Sequence, residues 1–217
     1  MISKIVWWRI IQDYYIAISS FRYILFIIGV LVVFIFFKYK SKLINRILNL
    51  YLAFCFAWIS LFFVHWGREI TGNIYGSILF SLIFLIVAIF FLSYMIKDDE
   101  SVYIICTDLK IGIWCLLSLY PLVGFFTRLN FDNLSLMGTM PCPTVAFALF
   151  LLTFRKKRNH PMLLAIFLLW SLPGTLLLQV GKYGVYEDIL LFISGIYYLA
   201  FRKKFRYKYG HQAGKID

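Results

Sequence analysis

Charged side chains are scarce in this chain. Only 15% of its 217 residues are Asp, Glu, Lys or Arg, against 62% hydrophobic ones. A soluble domain needs more charge than this, so that class is excluded and a single-domain integral membrane protein is indicated. Cysteine is scarce too. Cys55, Cys106, Cys115 and Cys142 form no C-x-x-C pair and no zinc spacing, which excludes a disulfide framework. A phosphate-cradling glycine loop, a Ser-His-Asp set and a haem Cys-x-x-Cys-His motif are all missing, so ATP-driven work by this chain alone is not expected. No internal repeat is visible, which leaves an inverted-repeat architecture without direct sequence support. Residues 1–18 lack the apolar core of a signal peptide, because Lys4, Arg9 and Asp13 interrupt it.

What is abundant is apolar sequence. Seven hydrophobic runs stand out, at 21–37, 44–66, 70–96, 111–126, 134–154, 161–180 and 188–201. They predict an all-α polytopic bundle of about seven transmembrane helices in residues 20–201. Acidic residues number only 10 against 22 basic ones, a net charge of +12. In a membrane protein such an excess sets orientation, and nucleic acid is not expected as a partner. Lys38, Lys40, Lys42 and Arg46 follow run one, and Lys97 and Lys110 follow run three. Arg155, Lys156, Lys157 and Arg158 follow run five, and the tail at 202–217 carries six more. The opposite side receives Arg68, Arg128 and Lys182, with Lys4, Arg9 and Arg22 near the start. This alternation predicts an outside N-terminus and a basic cytoplasmic tail. In residues 1–19, Trp7, Ile11, Tyr14 and Ile18 recur at helical spacing opposite Arg9, Gln12 and Asp13. That pattern predicts an amphipathic helix lying on the outer interface, or packed over the mouth of the bundle.

Proline is sparse, and two of the five prolines flank one cysteine: Met140-Pro141-Cys142-Pro143-Thr144 interrupts the uncharged run 134–154. Each proline removes a backbone N–H and turns the preceding residue out of the helical region. The fifth run is therefore expected to break at Pro141-Cys142-Pro143, with 137–140 irregular and regular helix from about Pro143. Broken backbone at membrane depth survives only where protein or a water-filled cavity covers it, so the break nominates a site. With Cys142 at the N-cap, the amides of the next turn favour a thiolate or an anion there. Inert packing of a buried thiol is the alternative.

Other unusual side chains fall on the same, outer side. His65 ends run two and Asn73 and Tyr75 begin run three. Tyr120-Pro121 lies in the outer half of run four, Trp170 and Pro173-Gly174 in the middle and outer half of run six, and Glu187-Asp188 opens run seven. Cys142, Thr144, His65, Asn73, Tyr75, Tyr120, Glu187 and Asp188 are the candidate binding residues. Cys142 and His65 are the candidate metal ligands, suited to Cu(I) or Zn²⁺, although two ligands fall short of a closed site.

In outline the chain resembles an uncharacterised family of bacterial multi-spanning membrane proteins with a Pro-Cys-Pro-Thr signature. The residues that carry the likeness are Trp58, His65, Asn73, Tyr75-Gly76, Tyr120-Pro121-Leu122, Gly124, Gly138, Pro141-Cys142-Pro143-Thr144, Trp170, Gly174 and Glu187-Asp188. The N-terminal segment departs from it: Tyr14-Tyr15 and Ser19-Ser20 stand where Tyr-Asn and Trp-Pro are expected. The resemblance implies a bacterial inner membrane location and leaves activity and cofactor unknown. Three function classes remain open: a small permease or protein that binds a solute or ion at an outward-facing site around Cys142; a membrane-embedded metal/thiol site or enzyme using Cys142 and His65; and an accessory subunit that packs on partner chains or on a second copy of itself.

Overall fold

The computed structural model describes residues 3–39, 41–97, 103–128, 134–155 and 159–213. Among these the regular structure is helical, with two isolated bridges and no strand. Helix α1 (Lys4–Ala17) is capped by Ser3, whose Oγ accepts from the Val6 N–H at 3.3 Å. It is followed by α2 (Ser19–Lys38), α3 (Lys42–Thr71) and α4 (Ile74–Lys97). Ser41 caps α3, and Gly72 ends it in the left-handed conformation with φ 78°. Next come α5 (Thr107–Arg128), α6 (Pro141–Thr153) and α7 (Pro161–Leu169), which continues as a π-helix (Trp170–Tyr183). A 3-10 turn (Tyr186–Asp188) leads into α8 (Ile189–Ala213).

Four helical segments are long and apolar enough to cross a membrane: Ser19–Lys38, Lys42–Thr71, Ile74–Lys97 and Thr107–Thr127. Exposed Ile24, Ile27, Leu31 and Phe34 line the outside of α2 as lipid-facing residues would. Helices α3 and α4 pair closely through small residues. The Ser60 Oγ donates to the Ser81 carbonyl at 2.9 Å, and the Ser77 hydroxyl donates to the Phe63 carbonyl. Phe56, Phe84, Phe91 and Phe167 stack between α3, α4 and α7.

The fifth run is not one helix. All 13 residues of α6 are buried, so it forms the centre of the bundle, packed on α8, α5 and α3. At 13 residues it is about 20 Å long, well short of a hydrocarbon core of about 30 Å. Residues 134–140 extend it as a buried irregular segment, with Gly138 at φ 102°. The helix starts two residues earlier than the prolines suggest: Met140 is the extended N-cap and Pro141 the first helical residue. Both prolines thus sit in the first turn, where N–H groups have no intrahelical partner to lose. At its other end α6 is capped by Arg202, whose guanidinium donates to the Thr153 carbonyl at 3.0 Å and to the Arg155 carbonyl. The Arg155 guanidinium lies 3.8 Å from the centre of the Tyr94 ring.

The helical stripe on α1 faces protein. Trp7, Ile11, Tyr14 and Ile18 are buried, while Arg9, Gln12 and Asp13 are exposed. Helix α1 packs this stripe on α3 and on the π-helix, through Tyr14 on Phe62 and Trp7 on Tyr183.

Candidate functional site

Helix α1 is fastened to the irregular segment by two tyrosines. The Tyr14 hydroxyl donates to the Thr139 carbonyl at 2.8 Å and accepts from the Trp58 indole N–H at 2.9 Å. Burial pushes the Tyr14 phenol well above its ordinary value, so the donated proton stays in place. The Tyr15 hydroxyl lies 3.3 Å from the Ser135 Oγ, which also donates to the Glu187 carboxylate at 2.9 Å. Farther toward the start of α1, Trp7 stacks on Tyr183 with ring centres 4.5 Å apart, and the Trp8 indole donates to the Tyr183 carbonyl at 3.1 Å. These contacts bridge α1 to both broken elements of the bundle, the 134–140 segment and the π-helix.

Inside the segment, Thr144 holds the turn. Its Oγ1 accepts from the Gly138 N–H at 2.8 Å and donates to the Met140 carbonyl at 2.7 Å. Glycine is required at 138 for two reasons: its φ is positive, and a Cβ there would press on Leu25 and the Tyr51 hydroxyl at 3.0–3.1 Å.

Between α1, the ends of α3 and α4, the start of α6 and the π-helix lies a cavity of about 580 Å³. Trp7, Phe62, Phe63, Phe80 and Trp170 form much of its wall. Ser135, Cys142, Gln179 and Asp188 are among its few polar lining residues, and Asp188 is the only charged one among the described residues. Asp188 is 1% exposed, and its Oδ1 accepts from the Tyr120 hydroxyl at 3.2 Å. Cys142 and Trp170 line the same cavity as Asp188.

The eight candidate residues therefore divide. Cys142, Tyr120, Glu187 and Asp188 come together at or behind the cavity floor, and Thr144 shapes the turn above it. His65, Asn73 and Tyr75 stand elsewhere. His65 is exposed and rests edge-on against Trp66 with ring centres 5.5 Å apart. The Asn73 Oδ1 accepts from the Gly76 N–H at 2.6 Å, a cap at the start of α4, and Tyr75 is 81% exposed. A buried thiol and an exposed imidazole do not form a pair, and the described residues hold no group of three or more His, Cys, Asp or Glu suited to a metal. The anion site expected at the helix start also changes character. Cys142 is the second helical residue, not the cap, and Pro141 and Pro143 remove two of the first amides.

Sequence reasoning passed over Trp8, Tyr15, Ser135 and Thr139 as site residues, and over Arg22. That arginine is 2% exposed, with its guanidinium 4.8 Å from the centre of the Tyr15 ring and 4.6 Å from that of Tyr23. The stripe on α1 was the available signal for the tryptophans and tyrosines. Nothing local marked Ser135, which becomes polar lining only because the chain unwinds there.

The match to a family model extends over residues 4–211, from the first turn of α1 nearly to the end of α8, and so takes in the α1 roof, the broken α6 and the Glu187-Asp188 turn together. The chain belongs to a family of unknown function (DUF6064). No curated protein and no solved structure matches it. Membership agrees with the uncharacterised family expected from the sequence and assigns no activity to the cavity.

Proposed function

We propose that this is a seven-pass inner-membrane protein that binds a small ligand in the cavity beneath α1, from the outer side, in the manner of a permease or solute-binding membrane protein. The carrying observation is the cavity itself, about 580 Å³, built where two elements lose regular α-winding. Pockets for small ligands are mostly apolar with a few placed polar groups, and this one has aromatic walls with Ser135, Cys142 and Asp188 among its polar lining. Discontinuous helices that line a cavity are how membrane proteins hold solutes at depth. The seven passes comprise the four long helices, the 134–153 composite of irregular segment and α6, the α7–π-helix unit, and the first part of α8. The Lys and Arg asymmetry assigns the cavity end to the outside.

The membrane-embedded metal/thiol reading has less in its favour, since His65 is exposed and does not line the cavity that Cys142 lines, and the accessory-subunit reading has no particular surface in its favour. The ligand-binding reading is tested by thiol access. Cys142 and Cys55 are both buried, and of the two only Cys142 lines the cavity. In single-cysteine variants, methyl methanethiosulfonate is expected to modify Cys142 in the folded protein and to leave Cys55 intact. Equal protection of both thiols would remove the accessible cavity, and the reading with it.

A further inference from the structure

The lining of the cavity is rich in rings and short of charge. Among the described residues eight aromatic side chains line it, drawn from α1, α3, α4 and the π-helix. Trp7 and Tyr183 are stacked with ring centres 4.5 Å apart, and Trp170 stands edge-on to Phe63 and Phe80 at 6.3 and 5.6 Å. A ring placed among such groups gains face and edge contacts that an alkyl chain of equal area does not. Charge is constrained in both senses. No Lys, Arg or His lines the cavity among the described residues, so an anion would shed its hydration with no basic group to meet it. Asp188 is tied into the fold through Tyr120, so a cation would meet it only in competition with a partner already in place. The neutral polar groups differ in how far they are engaged. The Thr71 hydroxyl is shared between the Gly67 and Asn73 carbonyls, and the Ser135 hydroxyl donates to Glu187. Gln179, half-buried on the π-helix, also lines the cavity, and its side-chain amide makes no hydrogen bond to another described residue. A primary amide donates and accepts at once, which suits an uncharged polar group on a ligand. At about 580 Å³ the space lies within the range of pockets that enclose a drug-sized molecule.

We infer that the cavity takes an uncharged, ring-bearing molecule, with its rings among Trp7, Phe63, Phe80 and Trp170 and one neutral polar group on the Gln179 amide. Gln179 is then the residue that selects the polar group. The inference rests on the ligand-binding reading above and narrows it to a ligand class.

The test uses the full chain in lipid nanodiscs, with Cys142 as its only cysteine. It reads how far five probes slow modification by methyl methanethiosulfonate: 2-naphthamide, naphthalene, 2-naphthoate, 2-naphthylmethylammonium and the open-chain decanamide. 2-Naphthamide is expected to slow labelling at least about tenfold more than either naphthyl ion does, and about threefold more than decanamide. Naphthalene, which has the rings without the polar group, should protect less than 2-naphthamide. Gln179→Met should erase that last difference while protection by naphthalene persists, which also shows the variant to be folded. Phe80→Leu should lower the preference for 2-naphthamide over decanamide. Best protection by 2-naphthoate or by the ammonium probe overturns the uncharged ligand, and equal protection by decanamide overturns the ring. An amide preference unchanged in Gln179→Met overturns the role of Gln179. Labelling that none of the probes slows overturns the inference and leaves the accessible cavity standing. A Cys142 that is unreactive with every probe absent overturns this inference and the ligand-binding reading together.

Discussion

Tyr14 joins three parts of the chain through one hydroxyl: α1, which carries it; α3, through Trp58; and the irregular segment, through the Thr139 carbonyl. Tyr14→Phe keeps the ring and its packing on Phe62 and removes both hydrogen bonds, leaving a buried carbonyl and a half-buried indole N–H to find other partners. The expected cost is about 1–3 kcal/mol, read as a lower midpoint in thermal unfolding of the purified protein. Wild-type stability in Tyr14→Phe would mean that α1 does not depend on this tether. At this scale the sequence was legible in part. Cys142, Tyr120, Glu187 and Asp188 were identified by type and by the side of the membrane assigned to them, and they do converge. His65, Asn73 and Tyr75 satisfied the same criteria yet serve a helix surface and a cap, because sharing one side of a bundle does not fix which face of a helix a residue occupies. Tyr15 and Ser135 were missed since their role depends on a contact 120 residues apart in sequence.

The elements that matter most are the two that lose regular α-winding. For α6, proline chemistry was sufficient to announce the break within a run of uniform hydropathy, and the start of the helix shifted by two residues because Pro141 fits the first helical position as well as Pro143 does. Gly138→Ala forces an L side chain into positive φ and against Leu25, and is expected to destabilise by more than about 1 kcal/mol. Pro141→Ala, at a position that asks nothing of the missing N–H, should change thermal stability by less than Gly138→Ala does. Reversal of that order would contradict the described turn. The π-helix was less legible. Pro173-Gly174 signalled a weak point, but hydropathy is blind to winding, and a kinked α-helix would have carried the same residues. Helix α1 was read correctly as amphipathic. Its environment was left between two options, since an apolar stripe fits lipid and protein equally well.

Across the whole molecule, length and apolarity identify four helices able to cross a membrane, and the further passes proposed above rest on the shorter apolar helices Pro141–Thr153 and Pro161–Pro173 and on α8. The proposed orientation makes a direct prediction. A cytoplasm-dependent reporter fused after the C-terminus should be active, and an Asn73→Cys variant should react with an impermeant maleimide added outside intact cells. An inactive C-terminal reporter with a silent position 73 would invert the protein and turn the cavity toward the cytoplasm. The central claim, however, is that a ligand-sized space adjoins Cys142 in the folded chain. The measurement that meets it most directly is mass-spectrometric modification of Cys142 in the otherwise cysteine-free protein with methyl, hexyl and decyl methanethiosulfonates, followed by thermal unfolding of each adduct. The account predicts that all three chains attach to completion and that the decyl adduct unfolds no earlier than the methyl one, because the chain fills an existing cavity among Trp7, Phe63 and Trp170. Attachment of the methyl group alone, or unfolding on decyl attachment, would mean that Cys142 is a packed core residue and that no such site exists.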